Sequence, residues 1–432
     1  MKNISILSLV LLFSLMVFNA CEKENDSPEP TIEKVWIGNL EGSTLLSDLE
    51  VFLAEEYNVV DGNVELDFLN GDIMNSGEIE LKWLINLTRI TGNLDISFNN
   101  DLNSLEGLKN LRKVEGDCSI WNNDNLSNFS GLNNLDTIGG TFYVHFHESL
   151  TSFDGLDKLV YIGGDIDVAE SKLININGFK SLTAVGGNID ISYCNMLNSL
   201  NGLNNIVSVG GSVNITFNDK IVKFNAFENL ESIGAHLRIE ANGELWDISG
   251  FDKLESVGEY VSILGNYKLT SVNGLNAIKY INGYLKISES SITKINGFNA
   301  LDSIKGDMRI YGCDNMTNIG AFQSLISIGQ KLEIYENNSL TTFNSFSSLE
   351  SIRSELIIKE NGKLSTLNGF QFLSKVGYRM TIENNALLSD FCALTSLIQN
   401  GGYPASIDDP FFVYNNSYNP TIDDMLVGNC SQ

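Results

Sequence analysis

A 24-residue periodicity runs through most of this 432-residue chain and limits its fold more than any other feature. Aligned on Leu102, the same register returns at Leu126, Leu150, Leu173, Leu197, Ile221, Leu245, Leu269, Ile292, Met316, Leu340, Leu364 and Leu388, with every step 24 residues except two of 23. Within a unit the apolar residues keep fixed offsets, as at Leu197, Leu200, Leu203, Ile206, Val209, Val213 and Ile215. A unit this short cannot bury enough apolar surface to offset the entropy of ordering its own backbone. Units must therefore stack, share hydrogen bonds and be capped at both ends. The repeat predicts one solenoid where length alone suggests two or three domains.

The second half of each unit reads I-x-G-x-L-x-I, as in Ile162-Gly163-Gly164-Asp165-Ile166-Asp167-Val168. Alternation of apolar and polar residues predicts one strand with a buried face. Three residues past its last apolar position stands Asn99, Asn123, Asn218, Asn242, Asn266, Asn337, Asn361 or Asn385, with His147, Cys194 and Cys313 in the same slot. A buried amide at such a bend bonds carbonyls that no strand partner reaches. The two 23-residue units offer Glu170/Ser171 and Glu289/Ser290, which predicts a broken ladder there. No Pro occurs between Pro30 and Pro404, as stacked strands require. A glycine column at Gly107, Gly131, Gly155, Gly178, Gly202, Gly250, Gly274, Gly297 and Gly369 marks a corner with little room for Cβ.

At the N-terminal end Ser43 to Tyr57 reads as an amphipathic helix with Ser43 as N-cap, running into a first strand copy at Val60 to Leu66 and an irregular stretch from Ile73 to Leu84. After Leu388 the register dissolves, leaving a short apolar piece at Phe411 to Tyr414 and a last helix from Thr421 to Val427. Cys118 reads as a small core hydrophobe. Cys194 and Cys313 lie five repeats apart, roughly 24 Å at strand spacing, too far to bridge. Cys392 and Cys430 share the C-terminal cap, where a disulfide suits an exported protein.

The I-x-G-x-L-x-I strand, the preceding L-x-x-L-x-G-L-x-x-L run and the cap helix together resemble the receptor L domain over about residues 43–430. That resemblance implies an all-β-dominated solenoid, a right-handed parallel β-helix of the leucine-rich-repeat or receptor L-domain type. A short N-terminal cap helix and an irregular C-terminal cap would close it. It implies recognition rather than chemistry. Receptor L domains are shorter and work with Cys-rich modules absent here, so their ligands do not carry over.

The N-terminus supplies an address. Lys2 precedes an apolar run from Ile4 to Phe18, a length suited to a signal peptide and short for a membrane span. The run ends at Phe18-Asn19-Ala20-Cys21, which resembles the lipobox of bacterial lipoproteins, with Phe18 and Asn19 where Leu and a small residue are commoner. The resemblance implies lipidation of Cys21; the alternative is an ordinary signal peptide followed by a free thiol. The acidic stretch from Glu22 resembles export tags of surface lipoproteins. The expected organisation is a signal peptide over 1–20, a tether over 21–35, a cap with the first strand turn over 36–84, regular repeats over 85–388 and a cap over 389–432. The expected location is the bacterial outer membrane, exposed at the cell surface. A net charge of −27 repels phosphate backbones and acidic headgroups, which excludes nucleic acid as a partner and leaves membrane contact to the anchor alone.

Outward strand positions form columns. One reads Asp95, Ser119, Tyr143, Asp167, Asp190, Asn214, Arg238, Ser262, Lys286, Arg309, Glu333, Ile357 and Thr381, acidic early and basic late. Its neighbour runs through Asp165, Asn188, Ser212, His236, Tyr260 and Tyr284. With Tyr193 nearby, the candidate binding residues are Asp165, Asp167, Asp190, Tyr143, Tyr193, Arg238, Tyr260, Tyr284, Lys286 and Arg309, facing a protein or glycan ligand. The bland alternative is that aromatic and polar residues simply suit strands. Asp165, Asp167 and Asp190 also admit a glycosidase-like carboxylate pair or a weak Ca²⁺ site. Against catalysis, no long loop builds a cleft. The three His residues make no zinc set and the Gly-Gly pairs make no phosphate loop, so no cofactor is expected. A monomeric solenoid is expected, with a structural or assembly role in an outer-membrane complex as the alternative to ligand binding.

Overall fold

Each turn of the chain lays down two strands, one of about two residues and one of about four, as at Ser208–Val209 and Val213–Thr216. The computed structural model describes residues 33–41, 45–67 and 81–432. Successive short strands pair into one 15-stranded parallel sheet and the longer ones into another, here called the narrow and the wide sheet. A third sheet of three strands joins Ser271–Val272, Lys294–Ile295 and Asn318–Ile319. The molecule is a parallel β-solenoid.

The I-x-G-x-L-x-I segment, expected as one strand, is two. Ile162 belongs to the narrow sheet and Ile166 to the wide one. The bend between them brings consecutive turns into backbone contact: a Cβ on Gly163 would stand 2.1 Å from the Gly139 carbonyl oxygen. Period-two alternation survives the bend because both flanking strands point apolar residues inward.

All thirteen aligned residues from Leu102 to Leu388 have no exposure, and one continuous core runs from Leu40 to Met425. Phe298, Phe322, Phe346 and Phe370 form a file inside it, with ring centroids 5.5, 5.9 and 5.4 Å apart. Each such side chain contributes about 1.5–3 kcal/mol through burial.

The amide ladder lines the bend after the wide sheet. Asn242 Nδ2 donates to the carbonyls of Ile215 (2.9 Å) and Glu240 (3.1 Å), while its Oδ1 accepts from Asn218 N (3.2 Å). At the two shortened turns a serine fills the slot, and at Ser290 it also links the turn before. Ser290 Oγ donates to Ser288 O (3.0 Å) and accepts from Asn266 N (3.3 Å), and Ser171 Oγ donates to Ala169 O (3.0 Å). The missing residue falls beyond the slot, between Ser171 and Leu173, so a short hydroxyl still reaches the carbonyl. His147 sets its Nε2 2.9 Å from Ile120 O and its Nδ1 3.1 Å from Asn123 O.

Both ends depart from expectation. Val35–Ile37 pairs with Val59–Asp61, so stacked structure starts at the last residue assigned to the tether. The cap helix, described over Leu45–Ala54, ends before the expected Tyr57 and buries Leu49 and Phe52. Ser43, Ile73, the signal segment and Cys21 lie outside the described residues. The register does not dissolve after Leu388. Phe411–Tyr414 pairs in parallel with Met380–Glu383, and Asn416 extends the ladder by accepting from Asn385 N at 3.0 Å. The insertion that carries the chain there hides this last turn from a 24-residue alignment. Cys392 and Cys430 are disulfide-bonded, with Cα atoms 4.8 Å apart, and Cys118, Cys194 and Cys313 are buried thiols. The final helix, Ile422–Leu426, starts at Thr421 with a reciprocal cap between Thr421 and Asp424.

Candidate binding face

The wide sheet points every other side chain outward, and its register is unbroken. Tyr143 pairs with Asp167, Asp167 with Asp190, Asp190 with Asn214, Asn214 with Arg238, Arg238 with Ser262, Ser262 with Lys286 and Lys286 with Arg309. The column extends to Glu65 before Asp95 and to Phe412 after Thr381.

Charge on this face is less polarised than the column suggests. Arg238 Nη2 lies 2.6 Å from a carboxylate oxygen of Glu240, itself 8% exposed and accepting from Ser262 Oγ at 2.7 Å. The hydrogen bond from Arg238 to Glu240 raises the guanidinium pKa further. Arg309 sits between Asp307 (2.8 Å) and Glu333. Lys331 meets Glu355 at 2.8 Å. These cations are counterions of their own sheet. Lys286 instead sets its ammonium 5.4 Å from the Tyr311 ring centroid. Glu240 was missed because a carboxylate one position beyond the quoted columns carries no mark of its burial in sequence.

The acidic cluster is likewise committed. Asp165 Oδ1 accepts from Asn188 N at 2.5 Å, one rung of a second ladder in which Asn188 Oδ1 accepts from Ser212 N at 2.8 Å. Asp167 holds His145 Nε2 at 2.7 Å, and the His145 ring stacks on Tyr143 with centroids 3.9 Å apart. Asp190 accepts from Asn214 Nδ2. Burial raises the Asp190 pKa, a bond from Asn214 opposing and the Asp167 charge adding to it. Two neighbouring carboxylates are present, but each already has a donor, on a face with no enclosing cleft. Among the described residues no group of three or more His, Cys, Asp or Glu side chains is set to hold a metal ion, so the Ca²⁺ reading has no coordination shell here.

Aromatic residues lie in files. His236, Tyr260 and Tyr284 stack with centroids 4.2 and 4.4 Å apart and planes within 8°. All three are half-buried. His236 is anchored by Ser212 Oγ at Nδ1 and Asn214 Oδ1 at Nε2, both 3.0 Å. Burial, with Tyr260 alongside, pushes the Tyr284 phenol to about 12, so it remains a hydroxyl donor at neutral pH. A second file, Tyr311 and Tyr335 at 4.6 Å, is closed by Lys286 at one end and by Lys359, 5.3 Å from the Tyr335 ring, at the other. Glu333, Tyr335, Ile357, Lys359, Thr381 and Glu383 line a shallow depression there. Parallel rings at strand spacing cover one another's faces and present edges and hydroxyls, so only the ends of a file offer a flat ring.

Tyr193 stands apart from that face, on the exit corner. There the backbone takes positive φ turn after turn, 57° at Phe146, 49° at Glu170, 54° at Tyr193 and 55° at Phe217, with Gly265 and Gly312 at the same station. This reversal drops the following residue into the amide ladder. Sequence reasoning missed it because bulky residues occupy a conformation that costs about 1–2 kcal/mol each.

The Receptor L domain family model matches residues 86–151, within the early turns of the solenoid. No curated protein matches the chain. The chain is a parallel β-solenoid whose early turns are similar to the receptor L domain.

Proposed function

We propose that this chain is a non-enzymatic binding protein that holds a protein or glycan ligand on the outer face of its wide sheet. In the same reading Cys21 carries a lipid that anchors it to a bacterial outer membrane, exposed at the cell surface. The observation that carries the proposal is the stacked file of His236, Tyr260 and Tyr284, a rigid amphipathic strip held half-exposed on a continuous sheet. Aromatic residues with little conformational freedom left to lose are efficient binding anchors. An open face suits a macromolecule better than a small substrate, which needs enclosure. Ring edges and phenol hydroxyls at this file favour a partner with hydrogen-bonding groups.

The test is a glycan and matrix-protein array probed with the protein and with a Tyr260→Asn, Tyr284→Asn variant. Asn occupies the same column at Asn188, so the fold tolerates it. Loss of binding by about tenfold or more with an unchanged melting temperature supports the reading; binding that survives the double change places the ligand elsewhere. Charge reversal at Arg238 or Arg309 is a poorer probe, since it would leave Glu240 or Glu333 unpaired. Anchoring is tested separately: labelled fatty acid is incorporated by cells making the protein and lost on Cys21→Ser.

A further inference from the structure

The geometry points to a second binding site, a notch on the exit corner of the wide sheet that takes a guanidinium group, the arginine side chain of a basic peptide. The notch follows from a deletion. In neighbouring turns two residues separate the ladder slot from the next core leucine, Glu148 and Ser149 on one side and Asn195 and Met196 on the other. In the shortened turn only Lys172 stands between Ser171 and Leu173. The flanking corners stand proud of it, and the depression is lined by Glu148, Glu170, Lys172, Tyr193 and Met196 among others.

Its far wall is a free aromatic face. Phe217 covers one side of the Tyr193 ring, with centroids 4.8 Å apart and planes within 2°. The stack runs along the strand-pairing direction, so the opposite face turns toward the preceding turn, where Glu170 holds the same station. Tyr193 and Met196 are each 50% exposed. Nothing in the fold requires an aromatic at this corner, because Gly265 and Gly312 serve it elsewhere.

The charges select the ligand. Lys172 Nζ lies 3.5 Å from Glu148 and occupies that carboxylate. Glu170 has no cation partner among the described residues. An unpaired carboxylate beside an open ring face fits a planar cation that stacks and forms two parallel hydrogen bonds. A surface of net charge −27 steers such a peptide inward.

The site is independent of the wide-sheet face. Fluorescence anisotropy of a labelled Gly-Arg-Gly peptide at low ionic strength reads it directly, with the citrulline peptide as the uncharged isostere. The citrulline peptide binds at least about tenfold more weakly, and Tyr193→Gly and Glu170→Gln each weaken the arginine peptide about fivefold or more. Glu360→Gln, the same charge change at the same station of a distant turn (φ 57°), leaves binding unaltered. So does Tyr260→Asn, which separates this site from the face proposed above. The inference is overturned by equal affinity for citrulline, by full binding in Tyr193→Gly, by equal losses in Glu360→Gln and Glu170→Gln, or by displacement of the peptide with a neutral methyl hexoside at matched concentration.

Discussion

At the scale of single residues, this fold depends on polar side chains inside the bend more than on any outward group. Removing the Asn242 amide leaves the buried Asn218 N–H without its acceptor and takes a donor from the carbonyls of Ile215 and Glu240, the latter still accepting from Phe217 N. Asn242→Ala is therefore expected to cost about 2–4 kcal/mol, seen as a lowered urea midpoint by circular dichroism. The histidine in the same ladder carries a pH dependence. Burial holds the His147 pKa below its ordinary 6.5, outweighing the bonds to Ile120 and Asn123. The unfolded chain then takes up the proton more readily than the folded one, so stability is lost as pH falls through about 6.5. His147→Asn supplies a non-titrating amide at that slot, and its melting temperature should fall less than the parent's between pH 7 and about pH 5. Asp190 works in the opposite sense, its raised pKa making the folded state prefer the acid form. A His147→Asn curve as steep as the parent's would show that other groups control the acid limb.

At the scale of elements, the stacking distance sets what each corner tolerates. A Cβ on Gly210 would stand 2.1 Å from the Gly186 carbonyl oxygen, a contact only backbone movement relieves. Gly210→Ala should destabilise by about 2 kcal/mol or more. Gly297→Ala, whose nearest contact is 3.4 Å, should be close to neutral. Comparing the two melts, one from each glycine corner, decides whether backbone contact between turns sets the cost of a Cβ. The C-terminal cap is held by the Cys392–Cys430 bond, which spans 38 residues. Reduction should loosen the cap by about 2–4 kcal/mol and speed amide exchange at Phe411–Tyr414 before the central turns. Uniform exchange along the chain would mean that the whole stack opens as one.

At the scale of the molecule, a solenoid is a sum of turns and their interfaces. Deleting residues 219–242, one whole turn of 24 residues, joins Asn218 to Gly243 with every register restored. The product should fold with an unchanged far-ultraviolet spectrum and a slightly shorter particle by small-angle scattering. Removing only 219–230 should unfold the array locally, since half a turn puts apolar side chains on the wrong face.

Sequence by itself determined the period, the parallel stack, the inward leucine file and the outward columns, because each is a regularity of fixed offset that a single mispaired turn would destroy. It placed Tyr143, Asp167 and Asp190 side by side and put His236, Tyr260 and Tyr284 in one file. It left undecided what those side chains do there, since Arg238 reads the same whether it meets a ligand or Glu240. Tertiary structure alone decided that the glycine bend splits one apparent strand into two sheets, that Ser171 and Ser290 fill the ladder slot, and that the chain returns after Pro410 to add another strand. These outcomes rest on distances of a few ångströms between residues two dozen or more apart in the chain, set by how closely one turn lies on the next.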